Sequence, residues 1–553
     1  MTGTQVKTES AIDRGHRDTD WWRGAVIYQI YPRSFQDSNG DGIGDLAGIT
    51  QRLDYIASLG VDAIWLSPFF TSPMADFGYD VSDYEDVDPM FGTLADFDEM
   101  TAKAHALGLK VMIDLVISHT SDQHAWFKES RASRDNRKAD WYVWADAKPE
   151  GSPPNNWLSI FGGPAWEWDS VRCQYYLHNF LASQPDLNFH NPDVQDAVLS
   201  AARFWLERGV DGFRLDTVNF YFHDANLRDN PPLPEGMVLT GVDATNPYAF
   251  QHHLHDKTQP ENLVFLERLR SLLDEYPGAT SVGEIGADRD VIGTTAAYTV
   301  EGKRIHMAYS FDLLTPKRSA AFIRQTVEGM EAGIGSGWPS WALSNHDVVR
   351  VASRWGESQN LDLFAPLAVA LVTSLRGTPC IYQGEELGLS EADVPFEKLQ
   401  DPYGIRFWPK FKGRDGCRTP MPWDRGAAHA GFSAGEPWLP VPADHAARSV
   451  NAQDMAGGSV LERVRTFLNW RRGELTLQKG DIRFIDSDGE TVVFTRSHQN
   501  ETVLCAFNLS DEPVELNWND GQLSVLVGSG FGGNAKAGKL MLPGLDALFA
   551  RVG

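Results

Sequence analysis

The sequence predicts an α/β protein built on a (β/α)8 TIM barrel, with a small excursion domain after strand 3 and a C-terminal antiparallel β domain. Two observations support this prediction. Short apolar segments alternate with amphipathic segments over roughly 400 residues, which is the pattern of a parallel barrel covered by helices. Beyond residue 472 the pattern changes to the polar and apolar alternation that is typical of antiparallel strands.

The apolar segments supply eight candidate strands. They lie at residues 25–31, 63–66, 110–115, 212–215, 280–282, 307–310, 339–343 and 380–382. The first of them is almost entirely apolar, as expected of a strand that is covered on both faces. Helical periodicity is found at residues 46–59, 94–107, 194–208 and 460–472. The resulting order of strand, helix and strand predicts βαβ units.

Changes in composition predict the domain boundaries. We expect a disordered N-terminus at 1–20, the barrel at 21–118 and 192–472, the excursion domain at 119–191 and the β domain at 473–553. The excursion is irregular and rich in Trp, Gly, Pro and Asn. A second irregular insertion is predicted inside the barrel, at about residues 390–435.

The charge balance limits the class of partner. The formal net charge is −26 and the pI is near 4.9, which argues against nucleic acid and against an anionic membrane surface. The four cysteines have no CxxC spacing, so neither a zinc site nor a disulfide framework is predicted. No segment has the pattern of a signal peptide or of a membrane helix, and we predict a cytoplasmic protein.

Residues 212–216 place an arginine and a carboxylate on one face of a predicted buried strand. Side chains alternate along a strand, so Arg214 and Asp216 point the same way. A neighbouring guanidinium lowers the pKa of a carboxylate, and a carboxylate nucleophile must be ionised. The same pair is equally typical of a structural ion pair, and the pentapeptide alone leaves both interpretations open.

Polar residues also follow the other predicted strands. Active sites of barrels lie at the carboxyl ends of the strands, where the sequence has His119, Glu284, His346 and Asp347. Together with the arginine and carboxylate of residues 212–216, they form a group of three carboxylates, two histidines and one arginine. A group of this kind favours a catalytic site over six separate structural residues.

Four motifs give the chain a family resemblance: DLVISH at 114–119, GFRLD at 212–216, VGE at 282–284 and SNHD at 344–347. They resemble the α-amylase superfamily, glycoside hydrolase family 13, in its α-glucosidase and oligo-1,6-glucosidase branch. Supporting segments stand in the family's order at residues 78–80, 184–188, 383–386 and 418–423. The resemblance extends over about residues 21–423.

The resemblance implies a retaining reaction. Asp216 would be the nucleophile, Glu284 the acid and base, and Asp347 the third carboxylate, which holds the 2- and 3-hydroxyls of the sugar. Arg214 would separate the first two by lowering the pKa of Asp216, while drier surroundings would raise the pKa of Glu284. His119 would be a neutral hydrogen-bonding partner of the same sugar ring.

The resemblance also implies a pocket for one terminal glucosyl unit. Its predicted binding residues are Asp76, Tyr79, His119, Phe161, Phe180, Arg214, Thr217, His346 and Arg414. Asp76 and Arg414 would pair over the 4-hydroxyl, which excludes longer chains. The two phenylalanines would form pocket walls, with ordinary core packing as the alternative. Thr217 favours maltose-type or sucrose-type linkages over α-1,6 bonds.

A second acidic segment, at residues 37–45, has oxygen ligands at alternate positions and glycine at its sharp turn. Gly48 stands where an EF-hand has its last glutamate, and a solvated acidic turn is the alternative. Similar α-glucosidases bind one Ca²⁺ or Mg²⁺ with such a loop. The implied ligands of this structural cation are Asp37, Asn39, Asp41, the Ile43 carbonyl and Asp45.

The sequence as a whole predicts a retaining exo-acting α-glucosidase with small α-glucoside substrates. It would hydrolyse maltose-type linkages or sucrose and could transfer glucose to other acceptors. The alternatives are a sucrose isomerase, amylosucrase or trehalose synthase, and a non-catalytic sugar-binding relative. No organic cofactor is expected, and the oligomeric state stays open between monomer and dimer. Ser118 stands where many amylases have an asparagine that helps to hold calcium, which argues against that calcium site in this chain.

Overall fold

The structure is a computed structural model that describes residues 19–239, 241–286, 290–356 and 360–553. Of the predicted disordered N-terminus, residues 1–18 lie outside the described residues. The described parts of the chain form the predicted barrel, an excursion after its third strand, and two antiparallel sheets at the C-terminus. The predicted fold class is confirmed.

Eight parallel strands of the described chain form one closed barrel. They are β1 (Ile27–Ile30), β2 (Ala63–Leu66), β3 (Lys110–Leu115), β4 (Gly212–Leu215), β5 (Thr280–Ile285), β6 (Met307–Ser310), β7 (Ser340–Ala342) and β8 (Thr378–Tyr382). Their order in the sheet is β6, β5, β4, β3, β2, β1, β8 and β7. A parallel bridge between Ala308 and Pro339 joins β6 to the residue before β7 and closes the ring.

A long helix follows each strand. The helices are α1 (Leu46–Ser58), α2 (Leu94–Ala106), α3 (Pro192–Glu207), α4 (Asn262–Asp274), α5 (Val291–Tyr298), α6 (Ala320–Gly333), α7 (Leu361–Ser374) and α8 (Val460–Arg472). Local sequence sets their starts, because Thr93 and Asp96 form a capping box at α2 and Asn191 caps α3. Shorter helices lie at Val351–Arg354, Pro402–Phe407, Ala443–Ala447, Val450–Gln453 and Leu475–Lys479.

The register of the barrel brings the polar strand ends together. Asp114 on β3 lies beside Arg214 on β4, and Glu284 on β5 lies beside Tyr309 on β6. Because the strands are parallel, residues at matching heights face one mouth. The register therefore gathers carboxylates from three consecutive strands around one arginine.

The excursion contains the helix Ala125–Ala132 and a three-stranded antiparallel sheet. The sheet consists of Trp144–Ala145, Gln174–Leu177 and Trp166–Asp169, with Gln174–Leu177 in the middle. Buried Trp157 and Trp166 form much of its core. A second excursion, which the sequence did not predict, pairs Phe70–Thr71 with Asp83–Val87 after β2. Three acidic residues in Asp83–Val87 hide the apolar pattern of a strand.

The C-terminal region contains two antiparallel sheets. The larger sheet has the order Asp481–Ile485, Thr491–His498, Glu501–Asn508, Asp546–Val552 and Leu523–Val525, and the smaller has Val514–Asn517, Lys539–Leu542 and Asn534–Lys536. Buried Arg496 donates to the Ser374 and Leu375 carbonyls at 2.6 and 2.9 Å, which fastens the larger sheet to the end of α7. Within the described chain, no helix combines the length and the apolar character needed to cross a membrane.

Candidate active site

A pocket of about 140 Å³ opens at the carboxyl ends of the barrel strands. This volume accommodates on the order of ten water-sized groups, which is about the size of one hexosyl ring with its hydroxyls. Ten of the predicted residues line the pocket, among them Asp76, Tyr79, His119, Phe161, Phe180, Asp216, Glu284 and Asp347. Thr217 and Arg414 are the other two, whereas Arg214 and His346 lie directly behind the wall.

Arg214 is fully buried and is shared by three carboxylates. Its Nη1 atom donates to Asp114 Oδ1 at 2.8 Å and to Asp216 Oδ1 at 2.6 Å. Its Nη2 atom lies 2.5 Å from Glu284 Oε2. The Tyr309 hydroxyl accepts from Nη2 at 2.9 Å and donates to Glu284 Oε1 at 3.2 Å. One guanidinium therefore holds Asp216 and Glu284 on neighbouring nitrogens and keeps the two carboxylates close together.

The two carboxylates have raised pKa values because they are buried. Burial raises the pKa of Glu284, Arg214 lowers it, and the charges of Asp216 and Asp347 raise it further. Burial also raises the pKa of Asp216 and outweighs Arg214. Arg214 lowers the pKa of Asp216, as predicted, but it lowers the pKa of Glu284 as well, so the arginine does not by itself separate the two groups. The pair instead titrates as a unit in which the charge of Asp216 favours a proton on Glu284.

Asp347 lies on the other side of the pocket in a different electrostatic environment. Its Oδ1 atom accepts from Arg418 at 2.9 Å and lies 3.4 Å from Arg414 Nη1. Its Oδ2 atom lies 3.2 Å from His346 Nε2. Burial opposes ionisation, but these neighbours hold the pKa of Asp347 well below its usual value. Asp347 is therefore an ionised acceptor, suited to binding sugar hydroxyls rather than to proton transfer.

The predicted pair of Asp76 and Arg414 is present at the closed end of the pocket. Arg414 Nη2 lies 2.8 Å from Asp76 Oδ1 and 2.8 Å from Asp401 Oδ1. Asp401 also accepts from the Arg414 backbone nitrogen at 2.7 Å and caps the helix Pro402–Phe407. Arg414 is thus fixed by its contacts to Asp76 and Asp401, and its Nη1 atom lies near Asp347.

The two predicted histidines are buried and neutral. Burial lowers the pKa of His119 to about 4 and that of His346 well below its usual value. His119 Nε2 donates to the Tyr79 carbonyl at 2.8 Å. The Tyr79 ring stacks on His346 at 5.3 Å, and its hydroxyl contacts His346 Nε2 and donates to Asp114 at 3.1 Å. Tyr79 therefore orients both histidines, His119 through its carbonyl and His346 through its ring and hydroxyl.

Aromatic rings form the outer wall of the pocket. Phe161 stacks on Tyr403 with 4.9 Å between ring centroids, and Phe180 contacts Phe161 at 5.8 Å and Phe220 at 5.7 Å. The guanidinium carbon of Arg414 lies 5.1 Å from the Phe161 ring centroid. Phe161 and Phe180 thus line the pocket rather than the interior of the excursion. An apolar wall of this kind suits the faces of a sugar ring.

Thr217 contacts both carboxylates of the pair. Its backbone nitrogen donates to Glu284 Oε2 at 3.2 Å, and its hydroxyl lies 3.3 Å from Asp216 Oδ2. The backbone φ of Thr217 is 39°, in the left-handed region that β-branched residues avoid. Such a conformation costs about 1 to 3 kcal/mol and persists where surrounding contacts enforce it.

In the predicted metal-binding loop, carboxylates accept hydrogen bonds from the loop's own backbone amides. Asp37 accepts from the Asn39 and Gly42 nitrogens at 2.9 and 2.8 Å, and Asp41 accepts from the Ile43 nitrogen at 2.9 Å. Asp45 caps α1. The oxygen donors match the chemistry of a hard cation. In the described parts of the chain, no group of three acidic, histidine or cysteine side chains is arranged to hold a metal ion, so the cation stays a prediction.

Sequence reasoning missed four residues that orient the site: Asp114, Tyr309, Asp401 and Arg418. Asp114 and Arg418 stand inside motifs that had been recognised, and alternation along β3 could have placed Asp114 on the inner face. Tyr309 comes just before the end of β6, where a polar tip is expected to face the mouth. Asp401 precedes a proline at a helix start, which signals a helix cap but not a contact with Arg414.

Comparison with known proteins gives two family matches. The model of the α-amylase catalytic domain matches residues 29–480, and that of the maltogenic amylase C-terminal domain matches residues 482–529. A protein of Rhizobium meliloti named a probable α-glucosidase is 57% identical over 97% of this chain and 98% of its own length. An oligo-1,6-glucosidase of Heyndrickxia coagulans is 37% identical over 92% and 96%.

Two solved structures superimpose over nearly the whole chain. The α-glucosyl transfer enzyme XgtA has a TM-score of 0.94 and 61% identity, and covers 96% of this chain and 99% of its own. The trehalulose synthase MutB of Pseudomonas mesoacidophila MX-45 has a TM-score of 0.87 and 34% identity, over 96% and 99%. The barrel, the carboxylate motifs and these matches agree, and the chain belongs to the α-amylase family, glycoside hydrolase family 13.

Proposed function

We propose that this chain is a retaining exo-acting α-glucosidase that acts on short α-glucosides and can also transfer glucose. The observation that carries the proposal is the buried pair of Asp216 and Glu284 on one guanidinium, at the wall of a pocket sized for one hexosyl unit. A retaining reaction needs two carboxyl groups at short separation, and a shared arginine favours that arrangement. The relatives named α-glucosidase support the same activity.

In the proposed reaction, Asp216 attacks the anomeric carbon while Glu284 protonates the leaving oxygen. The bond from the anomeric carbon to that oxygen breaks, and a covalent glucosyl-enzyme forms. Glu284, now ionised, then removes a proton from water, whose oxygen attacks the anomeric carbon and breaks its bond to Asp216, so that glucose is released. The raised pKa of Glu284 supports its role as the acid, because the group must hold a proton at the start. Asp347 would hold the hydroxyls beside the reacting carbon.

Exo action follows from the closed end of the pocket. In the proposed complex, Arg414, held by Asp76 and Asp401 in the pocket wall, would lie beyond the terminal sugar ring. A terminal hydroxyl can join this charged network, whereas a further sugar unit would break it and leave buried charges unpaired. We therefore expect single glucose units to be released from the non-reducing end.

Transfer of the glucosyl group to an acceptor other than water is the second activity that an observation favours. The pocket wall includes the rings of Phe161, Phe180, Phe220, Phe311 and Tyr403, which would exclude water from the glucosyl-enzyme and could hold an acceptor. Two structural relatives are named as a glucosyl transfer enzyme and a trehalulose synthase. Any hydroxyl that competes with water for the intermediate gives transfer, so an isomerase-type activity on sucrose is the alternative function.

The loop at residues 37–45 is proposed to bind one divalent cation with Asp37, Asn39, Asp41, the Ile43 carbonyl and Asp45. The donors are oxygen atoms, as Ca²⁺ and Mg²⁺ require. Gly42, with φ of 92°, packs where a Cβ would meet the Glu436 carbonyl, so the loop conformation needs glycine. A cation there would stabilise the loop and take no part in the reaction. Metal analysis of purified protein, with melting curves before and after chelation, tests this proposal.

Product analysis tests the main proposal. The chain is incubated with maltose, isomaltose, sucrose, trehalose and maltotriose, and the products and their anomeric configuration are followed with time. We expect glucose of retained α-configuration as the main early product from maltose or sucrose. Trehalulose, isomaltulose or trehalose as the main product would favour the isomerase alternative. β-Glucose as the main early product would contradict the proposal.

A further inference from the structure

Behind the pocket, a chain of hydrogen bonds connects a histidine to the second oxygen of Asp216. Ser118 Oγ lies 2.9 Å from His119 Nδ1 and 3.2 Å from Thr217 Oγ1. Thr217 Oγ1 lies 3.3 Å from Asp216 Oδ2. Ser118 is buried and does not line the pocket, so it acts on the reaction only through these neighbours.

The direction of the chain follows from its far end. His119 Nε2 contacts the Tyr79 carbonyl at 2.8 Å, and a carbonyl only accepts, so Nε2 carries the hydrogen. The buried ring is neutral, which leaves Nδ1 as an acceptor. Ser118 must therefore donate its hydroxyl to His119 and present a lone pair to Thr217.

The hydroxyl group of Thr217 consequently has one hydrogen to donate and two neighbouring oxygens that can accept it. Ser118 Oγ and Asp216 Oδ2 lie at nearly equal distances of 3.2 and 3.3 Å from its oxygen. The backbone of Thr217 is held by its bond to Glu284 and by its left-handed conformation. Rotation of the hydroxyl alone therefore moves the hydrogen bond from one acceptor to the other.

The two oxygens of Asp216 are not equivalent. Oδ1 is held by Arg214 at 2.6 Å, whereas Oδ2 has the longer contact to Thr217. Oδ2 is therefore the oxygen that is free to attack the anomeric carbon in the proposed reaction. A donor that stayed on Oδ2 would stabilise its negative charge more in the ground state than in the transition state, where that charge is being lost.

We propose that Ser118 is a positioning residue that accepts the Thr217 hydroxyl as Asp216 attacks. The inference rests on the proposed function. The Oδ2 lone pair forms the bond to the anomeric carbon, the leaving oxygen takes the electron pair of the broken bond, and that oxygen receives the Glu284 proton. The negative charge of Asp216 disappears in this step, and the Thr217 hydrogen bond passes to Ser118. Without Ser118, the buried hydroxyl would lose its partner in the transition state.

The test is a double-substitution cycle on 4-nitrophenyl α-glucoside, with stopped-flow measurement of the first turnover. Ser118→Ala should lower the rate of nitrophenol release about tenfold, the kinetic equivalent of one hydrogen bond. In the Thr217→Val background, which keeps the β-branch and removes the hydroxyl, the same change should alter that rate less than about twofold. Thr217→Ser keeps the hydroxyl, so in that background the tenfold loss should return.

Ser118→Ala removes the hydrogen bond to His119 in every background. The effect of that loss on the rate therefore cancels when the backgrounds are compared. Melting curves identify variants that fold poorly, and Ser118→Cys, whose thiol is a weaker acceptor, supplies a second variant with an expected intermediate loss. Equal losses in the Thr217 and Thr217→Val backgrounds would overturn the inference and leave the proposed function intact. Absence of nitrophenol release by the unsubstituted protein would overturn both.

Discussion

Two acid-rich regions of this chain treat their carboxylates in opposite ways. Around Arg214, the buried groups Asp114, Asp216 and Glu284 share one cation, and burial raises the pKa of each. In the loop at residues 37–45, hydrogen bonds from backbone amides and Ser433 outweigh burial and lower the pKa of Asp37. The first region has more buried carboxylates than cations, whereas the loop satisfies each carboxylate locally.

The difference supports the proposal that the first region does the chemistry and that the loop has a structural role. The backbone amides of the loop stabilise the ionised form of its carboxylates, because an amide N–H donates a hydrogen bond but does not transfer its proton to a carboxylate. Burial of three carboxylates around one guanidinium raises their pKa values, which favours retention of a proton that a leaving group can take in the proposed reaction. Substitutions in the two regions should therefore have different effects on activity and on stability.

The largest effect is expected from the carboxylate pair itself. Asp216→Ala and Glu284→Gln should each lower kcat on maltose by about a thousandfold or more, because the nucleophile or the acid is lost. Melting temperature should change little. Glu385→Gln is the matched control: this glutamate is also buried with its pKa raised to about 8, yet lies outside the pocket, and its variant should keep its activity. Near-normal turnover by either first variant would contradict the assignment.

The closed end of the pocket should give the next largest effect. Arg414→Lys replaces a planar donor, which contacts Asp76 and Asp401 together, by a point charge. We expect kcat/KM on maltose to fall about a hundredfold, measured by glucose release. Lys412→Ala removes an exposed ion pair two residues away and should change it less than about twofold. Equal effects of the two substitutions would show that Arg414 has no special role.

The pH dependence should report the shared proton. Glu284 must be protonated and Asp216 ionised, so activity requires one proton in the pair. Activity should therefore fall about tenfold per pH unit as pH rises beyond about 7, where Glu284 loses its proton, and should also fall at acid pH as Asp216 gains one. Profiles of kcat/KM on an aryl α-glucoside measure both limbs. Constant activity between pH 6 and about 9 would contradict the shared-proton picture.

Substitution of Thr217 should change the preference between glucosidic linkages, by less than the rate losses predicted above. Thr217→Val removes the hydroxyl beside Asp216 and adds apolar volume at the pocket wall. The ratio of isomaltose to maltose hydrolysis should rise roughly fivefold, which lies in the range for a small change in a substrate pocket. Competition of the two sugars in one reaction measures the ratio directly. An unchanged ratio would remove Thr217 from the residues that set linkage preference.

The acidic loop should show no effect on catalysis at all. Asp37→Asn weakens the acceptor of three backbone nitrogens and should lower the free energy of unfolding by about 1 to 3 kcal/mol. Turnover at 25 °C should stay within about twofold. Asp41→Asn, at an exposed position of the same loop, is the milder control. Immediate loss of activity on chelation, with an unchanged melting curve, would show that a catalytic ion had been mistaken for a structural one.

Much of the fold was predictable because its signals are local. The apolar segments predicted the observed first and last residues of β2, β3, β4 and β6, and helical periodicity predicted those of α8. The hairpin after β2 was missed because its acidic strand has no apolar alternation. The loops and insertions that bring Asp401 to Arg414 leave no periodic pattern, and sequence reasoning did not reach that contact.

Side-chain alternation and motif spacing are properties of the chain, so they were enough to identify the carboxylates at the strand ends and the family that they resemble. How these carboxylates share the charge of Arg214 depends on contacts between strands. Strand register places Glu284 as near to Arg214 as Asp216 is, and burial then raises both pKa values instead of separating them. Electrostatic energies depend on distance and solvent exposure across strands, and neither quantity can be read from one strand alone.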